Sequence, residues 1–181
     1  MGFYGASMRQ LASRTGLSLS NIYNYYPSKS AVLLEILREA SSAQLAQVQG
    51  AIERAGPGVV ERFSAAVEAF LGYYIDNPEI GTVATSEFRY LEGEFRSEVV
   101  AARDETQSVL TRLIAEGVES GHFGTPYPHE AALAILTMCS AVTVWYRKDG
   151  GLGKEEICQR YSRFALSLLE VRPTTTRRRS Q

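Results

Sequence analysis

The chain has 181 residues, of which 45% are apolar and 22% charged, with a net charge of −1. No run of 18 apolar residues occurs, and the start Met1-Gly2-Phe3-Tyr4-Gly5 lacks the basic and apolar regions of a signal peptide. These features exclude a membrane-spanning helix and lead to the expectation of a soluble, cytoplasmic protein of one or two domains.

Charge is unevenly placed. Residues 1–34 contain Arg9, Arg14 and Lys29 and no acid, and residues 172–181 contain Arg172, Arg177, Arg178 and Arg179 and no acid. The stretch between them is therefore acidic. A basic end on an acidic body suits a polyanionic partner. Cys139 and Cys158 stand alone in apolar, helix-like surroundings, without metal-ligand spacing. They read as buried free thiols, and no cofactor or metal is expected.

In chain order the pattern is helical, without period-2 alternation or hairpin signals. Ser7 to about Gly16 reads as a short helix, with Ser7 and Gln10 forming a capping box. Gly16-Leu17-Ser18 is a turn, and Ser18 caps a second short helix that Pro27 stops after about Tyr25. Ser28 caps a long helix through about Ala55, with Val32, Leu33, Ile36 and Leu37 on one face. Gly56-Pro57-Gly58 breaks the chain. A helix from Val59 to Ile75 carries Phe63, Val67, Phe70, Leu71 and Tyr74 at helical spacing. After Asp76-Asn77-Pro78, a shorter helix runs from Glu79 to about Leu91 and a long one from Glu94 to Glu119. A loop at 122–128 precedes Glu130–Tyr146, which is apolar nearly all round and expected to be buried on more than one side. A Gly-rich loop at 149–153 leads to a last helix, Glu155–Val171. Residues 174–181 read as a disordered basic tail. The fold class is all-α. A small N-terminal unit (1–38) is followed by a larger helical bundle (39–172) and a tail (173–181).

The first two helices carry the chemistry. Met8, Leu11, Ala12, Leu17, Ile22 and Tyr26 are spaced to fuse them at a steep angle, as in a helix-turn-helix. The opposite face of the second helix offers Ser18, Ser20, Asn21, Tyr23, Asn24 and Tyr25, whose short polar groups and phenols suit base edges and phosphates in a major groove. Arg9 adds a cation on the first helix. Lys29, in the first turn of the third, is placed for a phosphate. An ordinary helical corner is the alternative. The density of Tyr and Asn, and the absence of any acid before Glu35, favour DNA.

The segment from Ala6 to Leu34 resembles the DNA-binding signature of the tetracycline-repressor (TetR) family, and the helix order to Val171 is similar to that family's. The resemblance implies phosphate contacts from Ser7, Tyr23, Tyr25 and Lys29, and a recognition face of Ser18, Leu19, Ser20, Asn21 and Asn24. Tyr26 stands where the family usually has Phe, and Tyr25 where it often has His. Family members carry a full helix before the position of Gly2. The expectation is therefore a truncated or misassigned start, with a natural deletion as the alternative. If that helix is missing, Met8, Ala12, Ile22 and Leu33 lose a packing partner and operator binding is weakened or lost.

Beyond about residue 40 there is no Ser-His-Asp set, no HExxH and no Gly-rich phosphate loop, and the only histidines are His122 and His129. An enzyme is not expected, and a small helical enzyme or a helical dimer with impaired DNA binding is the alternative. Glu87, Glu92 and Glu94 with Arg89 and Arg96 read as a solvated charged face or a pocket rim. The family resemblance implies a ligand cavity in the bundle, with Phe63, Phe70, Tyr74, Phe88, Ile114, Met138 and Trp145 as candidate lining. It also implies a homodimer through the last two helices, with Ala134, Ala141, Tyr161, Phe164 and Leu168 at the interface. Two-fold symmetry would then set recognition helices about 34–36 Å apart on a near-palindromic operator. The stretch Val142–Leu152, with Glu87-Phe88-Arg89, is similar to family members that sense acyl-coenzyme A thioesters; a generic hydrophobic effector is the alternative. The expected function is a ligand-responsive transcriptional repressor.

Overall fold

A computed structural model describes residues 7–171. The chain start, with the question of a preceding helix, and the basic tail lie outside the described residues.

Among the described residues there are nine α-helices and no strand. Helices α1 (Met8–Thr15) and α2 (Leu19–Tyr25) start where local chemistry sets them. Ser7 Oγ accepts from the Gln10 N–H, and Gln10 Oε1 accepts from the Ser7 N–H at 2.8 Å, the expected capping box. Gly16 ends α1 at φ 71°, in the left-handed region that favours glycine. Ser18 and Ser28 cap α2 and α3 (Lys29–Arg54) through N–H groups three residues on. Met8, Ala12 and Ile22 form the small core of this corner, with Leu11, Leu19, Tyr26 and Val32 against it. Leu17 is not part of that core. It follows the left-handed Gly16, which directs it outward, and it is 48% exposed.

α3 is common to both ends of the molecule, and the boundary expected between residues 38 and 39 falls inside it. Its inner stripe is Leu33, Leu37, Gln44 and Val48, with Leu34 beside it. Ile36 lies off that stripe and is exposed, against expectation. Leu33, Leu34 and Leu37 pack with Leu91 and Val99.

α4 (Val59–Asp76) runs through the middle of the bundle and buries half its length. Phe63, Val67 and Leu71 meet Val48 of α3, Leu110 and Ile114 of α6 (Gly93–Glu119), Ile135 and Cys139 of α7 (Pro128–Ser140), and Ile157 and Ala165 of α9 (Lys154–Leu168). Each fully buried large side chain of this kind contributes about 1.5–3 kcal/mol. Phe123 closes the bottom of this core, edge-on to Phe63 at 5.6 Å. It packs against α6 at Gly117, where a Cβ would overlap its ring.

Two expected helices are each broken in two. The helix expected over 79–91 is α5 (Pro78–Ser86) followed by a 3₁₀ turn at Phe88–Tyr90. Thr82, Thr85 and Ser86 turn their hydroxyls back onto carbonyls of the preceding turn. The chain then extends so that Leu91 drops into the seam between α3 and α6. The apolar stretch 130–146 is divided at Ala141 into α7 and the short α8 (Val142–Trp145). Thr137, Ser140 and Thr143 bond back in the same way, and Val142-Thr143-Val144 is β-branched. Nor is this stretch buried all round, because Leu133, Ala134, Ala141, Val144 and Trp145 face outward. The last helix ends at Leu168 rather than Val171, and Leu169 is fully buried.

Candidate DNA-reading face and ligand cavity

The α2 surface opposite the small core is open. Ser18, Ser20 and Asn24 are exposed, Tyr23 nearly half so, and Tyr25 is 75% exposed. Asn21 is half-buried. Ser18 Oγ is engaged with the Asn21 N–H at 3.1 Å, so it orders the helix start as well as facing outward. Leu19 packs partly against Ile22 and its neighbours, which leaves it less available than the resemblance implies. Ser7 and Arg9 are exposed at the start of α1, and Lys29 is half-buried at the start of α3. The first acid along the chain is Glu35, a full turn or more inside α3. A convex, acid-free face of hydroxyls, amides and phenols, flanked by cations and one helix wide, matches a major groove.

The bundle holds a cavity of about 460 Å³, inside the ~300–1,000 Å³ range of small-molecule sites. Its walls come from Leu37 and Gln44 of α3, Phe70 and Tyr74 of α4, Ala84 of α5, Phe88 of the 3₁₀ turn, Arg103 and Thr106 of α6, and Leu136 of α7. Of the expected lining residues, Phe70, Tyr74 and Phe88 are there. Phe63 and Ile114 are fully buried in the main core, further along α4 and α6, and belong to packing rather than to the cavity. Met138 packs on the same core from α7. Trp145 points out of the bundle and stacks on Tyr161, with ring centroids 6.2 Å apart.

Two polar groups in the cavity went unread in the sequence. Gln44 is 7% exposed, and its Nε2 has no hydrogen-bond partner among the described residues. A polar residue in register with Leu37 and Val48 on the inner stripe of α3 was the available signal. Arg103 sits at the mouth, its guanidinium 4.2 Å from the Phe88 ring centroid and donating to the Ala84 carbonyl. Arg96 lies over the same ring at 4.6 Å. Partial burial lowers the Arg103 pKa, and Arg96 adds to this, while Tyr74 opposes it. Burial raises Tyr73 at the cavity wall, helped by Tyr74 and Glu39. Arg89 and Arg96, expected in a charged face, are exposed but also stack on Tyr90 and Phe88. In the sequence nothing singled out Arg103 from other arginines.

A third feature is an outward apolar face. Val144 (73% exposed), Trp145, Phe164 and Leu168 project from α8 and α9, Ala134 and Ala141 are exposed on and just after α7, and Tyr161 is half-buried against Trp145 and Phe164. Tyr161 contacts Phe164 at 5.9 Å, so the rings form one aromatic surface.

A helix-turn-helix joined by one long helix to a cavity-bearing helical bundle defines a DNA-binding regulator. Residues 1–36 match the family profile of bacterial regulatory proteins, tetR family, and residues 56–169 match that of the tetracyclin repressor-like C-terminal domain. The chain belongs to the tetracycline repressor (TetR) family of transcriptional regulators, with an N-terminal DNA-binding unit and a C-terminal ligand-binding domain. No curated protein matches it in sequence comparison. Among solved structures, a tetR-family regulatory protein from Rhodococcus is 25% identical, with a TM-score of 0.86 over 94% of this chain and 90% of that one. PfmR from Thermus thermophilus, a TetR family transcriptional regulator, is 27% identical, with a TM-score of 0.82 over 91% and 90%. AibR, solved in complex with isovaleryl coenzyme A and operator DNA, shares the fold at 19% identity, with a TM-score of 0.80 over 91% and 89%.

Proposed function

We propose that this chain is a non-enzymatic, ligand-responsive repressor that binds a near-palindromic operator as a homodimer and releases it when an effector fills the bundle cavity. The observation that carries this reading is the position of α3. It supplies Leu37, Ala40, Ser41 and Gln44 to the cavity wall, and the same helix begins at Lys29, next to the recognition helix. An occupant that favours one setting of α3 over another shifts the population between states that fit DNA and states that do not.

In this reading Ser7, Tyr23, Tyr25, Arg9 and Lys29 meet phosphates, and Ser18, Ser20, Asn21 and Asn24 meet base edges, with Leu19 at the edge of the contact. The aromatic face of α8 and α9, with Ala134, Ala141, Tyr161, Phe164 and Leu168, joins two protomers. Contiguous exposed apolar surface of this kind marks protein–protein contact. The effector is small and largely apolar. An acyl-coenzyme A thioester is the form that the AibR complex and the arginines around Phe88 favour.

The test is selection of an operator from random duplex DNA, followed by fluorescence anisotropy with and without candidate effectors. Tight, salt-sensitive binding to a near-palindrome that an effector weakens is the expected result. Failure to enrich any sequence would defeat the reading.

A further inference from the structure

The cavity holds one buried polar group that the fold does not satisfy, Gln44, and one exposed cation at its mouth, Arg103. Gln44 is buried among Leu37, Phe70 and Val48, and its amide makes no hydrogen bond among the described residues. A buried amide left unpaired is destabilising, so its presence calls for a compensating partner. The amide nitrogen donates two hydrogens, and the partner it lacks is an acceptor. Arg103, at the mouth, is engaged with a carbonyl and a ring face only. Among the described residues no carboxylate lies within ion-pair distance of it. Arg96 beside it deepens the positive potential on this side of the opening. Asp104, the acid on the rim, also lines a groove with Arg112 and His129, on the α7 side of the opening. The remaining wall is mostly apolar and aromatic, with the hydroxyls of Ser41, Thr85, Thr106, Thr137 and Ser140 and the amide of Gln107 set into it.

Resting on the effector reading above, we propose that the cavity is built for an acyl compound with an anionic head: an apolar chain packs on Phe70, Leu136 and Phe88, its carbonyl accepts from Gln44 Nε2, and its anionic group meets the guanidinium of Arg103. Two sources share this chemistry. One is an acyl-coenzyme A thioester, whose phosphates supply the charge. The other is a free acyl acid carrying a second carbonyl, such as an N-acyl amino acid.

The experiment is isothermal titration of the full chain with four probes: octanoyl-coenzyme A, N-octanoylglycine, N-octanoylglycine methyl ester and octanol. Variants are Gln44→Leu and Arg103→Met. At least one of the two acyl anions should bind, and which one it is separates the sources. Loss of a hydrogen bond to a charged or buried group should weaken that ligand about tenfold or more in each variant. The methyl ester should bind wild type as weakly as Arg103→Met binds the acid, with no further loss when the two changes are combined. Gln44→Leu should also raise the melting temperature of the free protein, because it removes an unpaired buried amide; a merely structural glutamine would lower it. Failure of both acyl anions to bind, or unchanged affinity in both variants, overturns the assignment. If Arg103→Met does not fold, the acid-to-ester comparison in wild type decides where the acid binds, and Arg103→Gln takes its place where only the coenzyme A thioester does. DNA release by octanol, without binding of either anion, defeats this inference and leaves the repressor reading intact. Anion binding that depends on Gln44 and Arg103 without any change in DNA affinity does the opposite.

Discussion

Gly81 is the point where the cavity wall touches the outward-facing end of the bundle. It is buried on α5, against Tyr74 of α4 and Thr143 of α8. A Cβ placed there would overlap Thr143 Cγ2 and lie 2.9 Å from Tyr74 Cδ1, well inside the ~3.5–4.0 Å optimum for carbon pairs. Thr143 cannot simply swing away, because its hydroxyl is bonded to the Ser140 carbonyl at 3.1 Å. Overpacking of this kind costs about 1–3 kcal/mol. Replacing a helical glycine with alanine returns up to about 1 kcal/mol. With so deep an overlap the upper half of the overpacking range applies, about 2–3 kcal/mol, and Gly81→Ala should be destabilising by about 1–2 kcal/mol. Thr143→Ser removes the offending methyl and keeps the hydroxyl, so the double variant should recover most of that loss. A urea-denaturation cycle over the four proteins measures the coupling, expected at about 0.5–3 kcal/mol for residues in contact. Because α5 also carries Ala84 and Ile80 in the cavity wall, Gly81→Ala should weaken effector binding as well. Equal stability of wild type and Gly81→Ala, or no recovery by Thr143→Ser, would refute this account of the α5–α8 contact.

Phe164→Asp places a charge in the middle of the exposed aromatic surface and should convert a dimer into monomers, read by sedimentation at micromolar protein; an unchanged mass would place the interface elsewhere. In the DNA complex, Arg9, Arg14 and Lys29 of two protomers give six cations, so the helix-turn-helix accounts for a slope of at most about −5 in log affinity against log salt, and Lys29→Ala should make it shallower by about 2. An unaltered slope in anisotropy titrations would remove Lys29 from the phosphate contacts. Cys139 and Cys158 are both buried, and burial pushes their pKa values up to about 12 and about 11. Neither should react with a thiol reagent at pH 8 until the protein is unfolded, and rapid reaction of the native chain would show that α7 and α9 open readily.

The features that were legible in the sequence are those set by neighbours a turn away. Ser7 with Gln10, Ser18, Gly16 and Ser28 fix helix ends through local hydrogen bonds and backbone preference, and the structure has each of them in that role. The breaks after Ser86 and Ser140 were missed, because short polar and β-branched residues are tolerated in helices until tertiary packing decides. Here the burial of Leu91 and Val142 decides. The cavity was only half legible. Aromatic identity says that a side chain wants cover, but not whether a neighbour or a void provides it: Phe63 found Phe123, Trp145 found Tyr161, and Phe70, Tyr73, Tyr74 and Phe88 were left on the hollow. The Gln44 position breaks an otherwise apolar stripe, and such a break is a better pointer to a ligand site than another aromatic.

The 26 residues of α3 form a single rod, with no glycine or proline from Lys29 to Gln49. Fifteen residues separate Lys29 from Gln44, about 22 Å at about 1.5 Å per residue. Pivoting that rod by about 5° at the cavity would carry its far end by about 2 Å, comparable with the interface shifts known to separate functional states. In the proposed repressor, signal transmission would need no chain of rearranging contacts between cavity and DNA: one stiff arm reaches both, and its stiffness would set the gain.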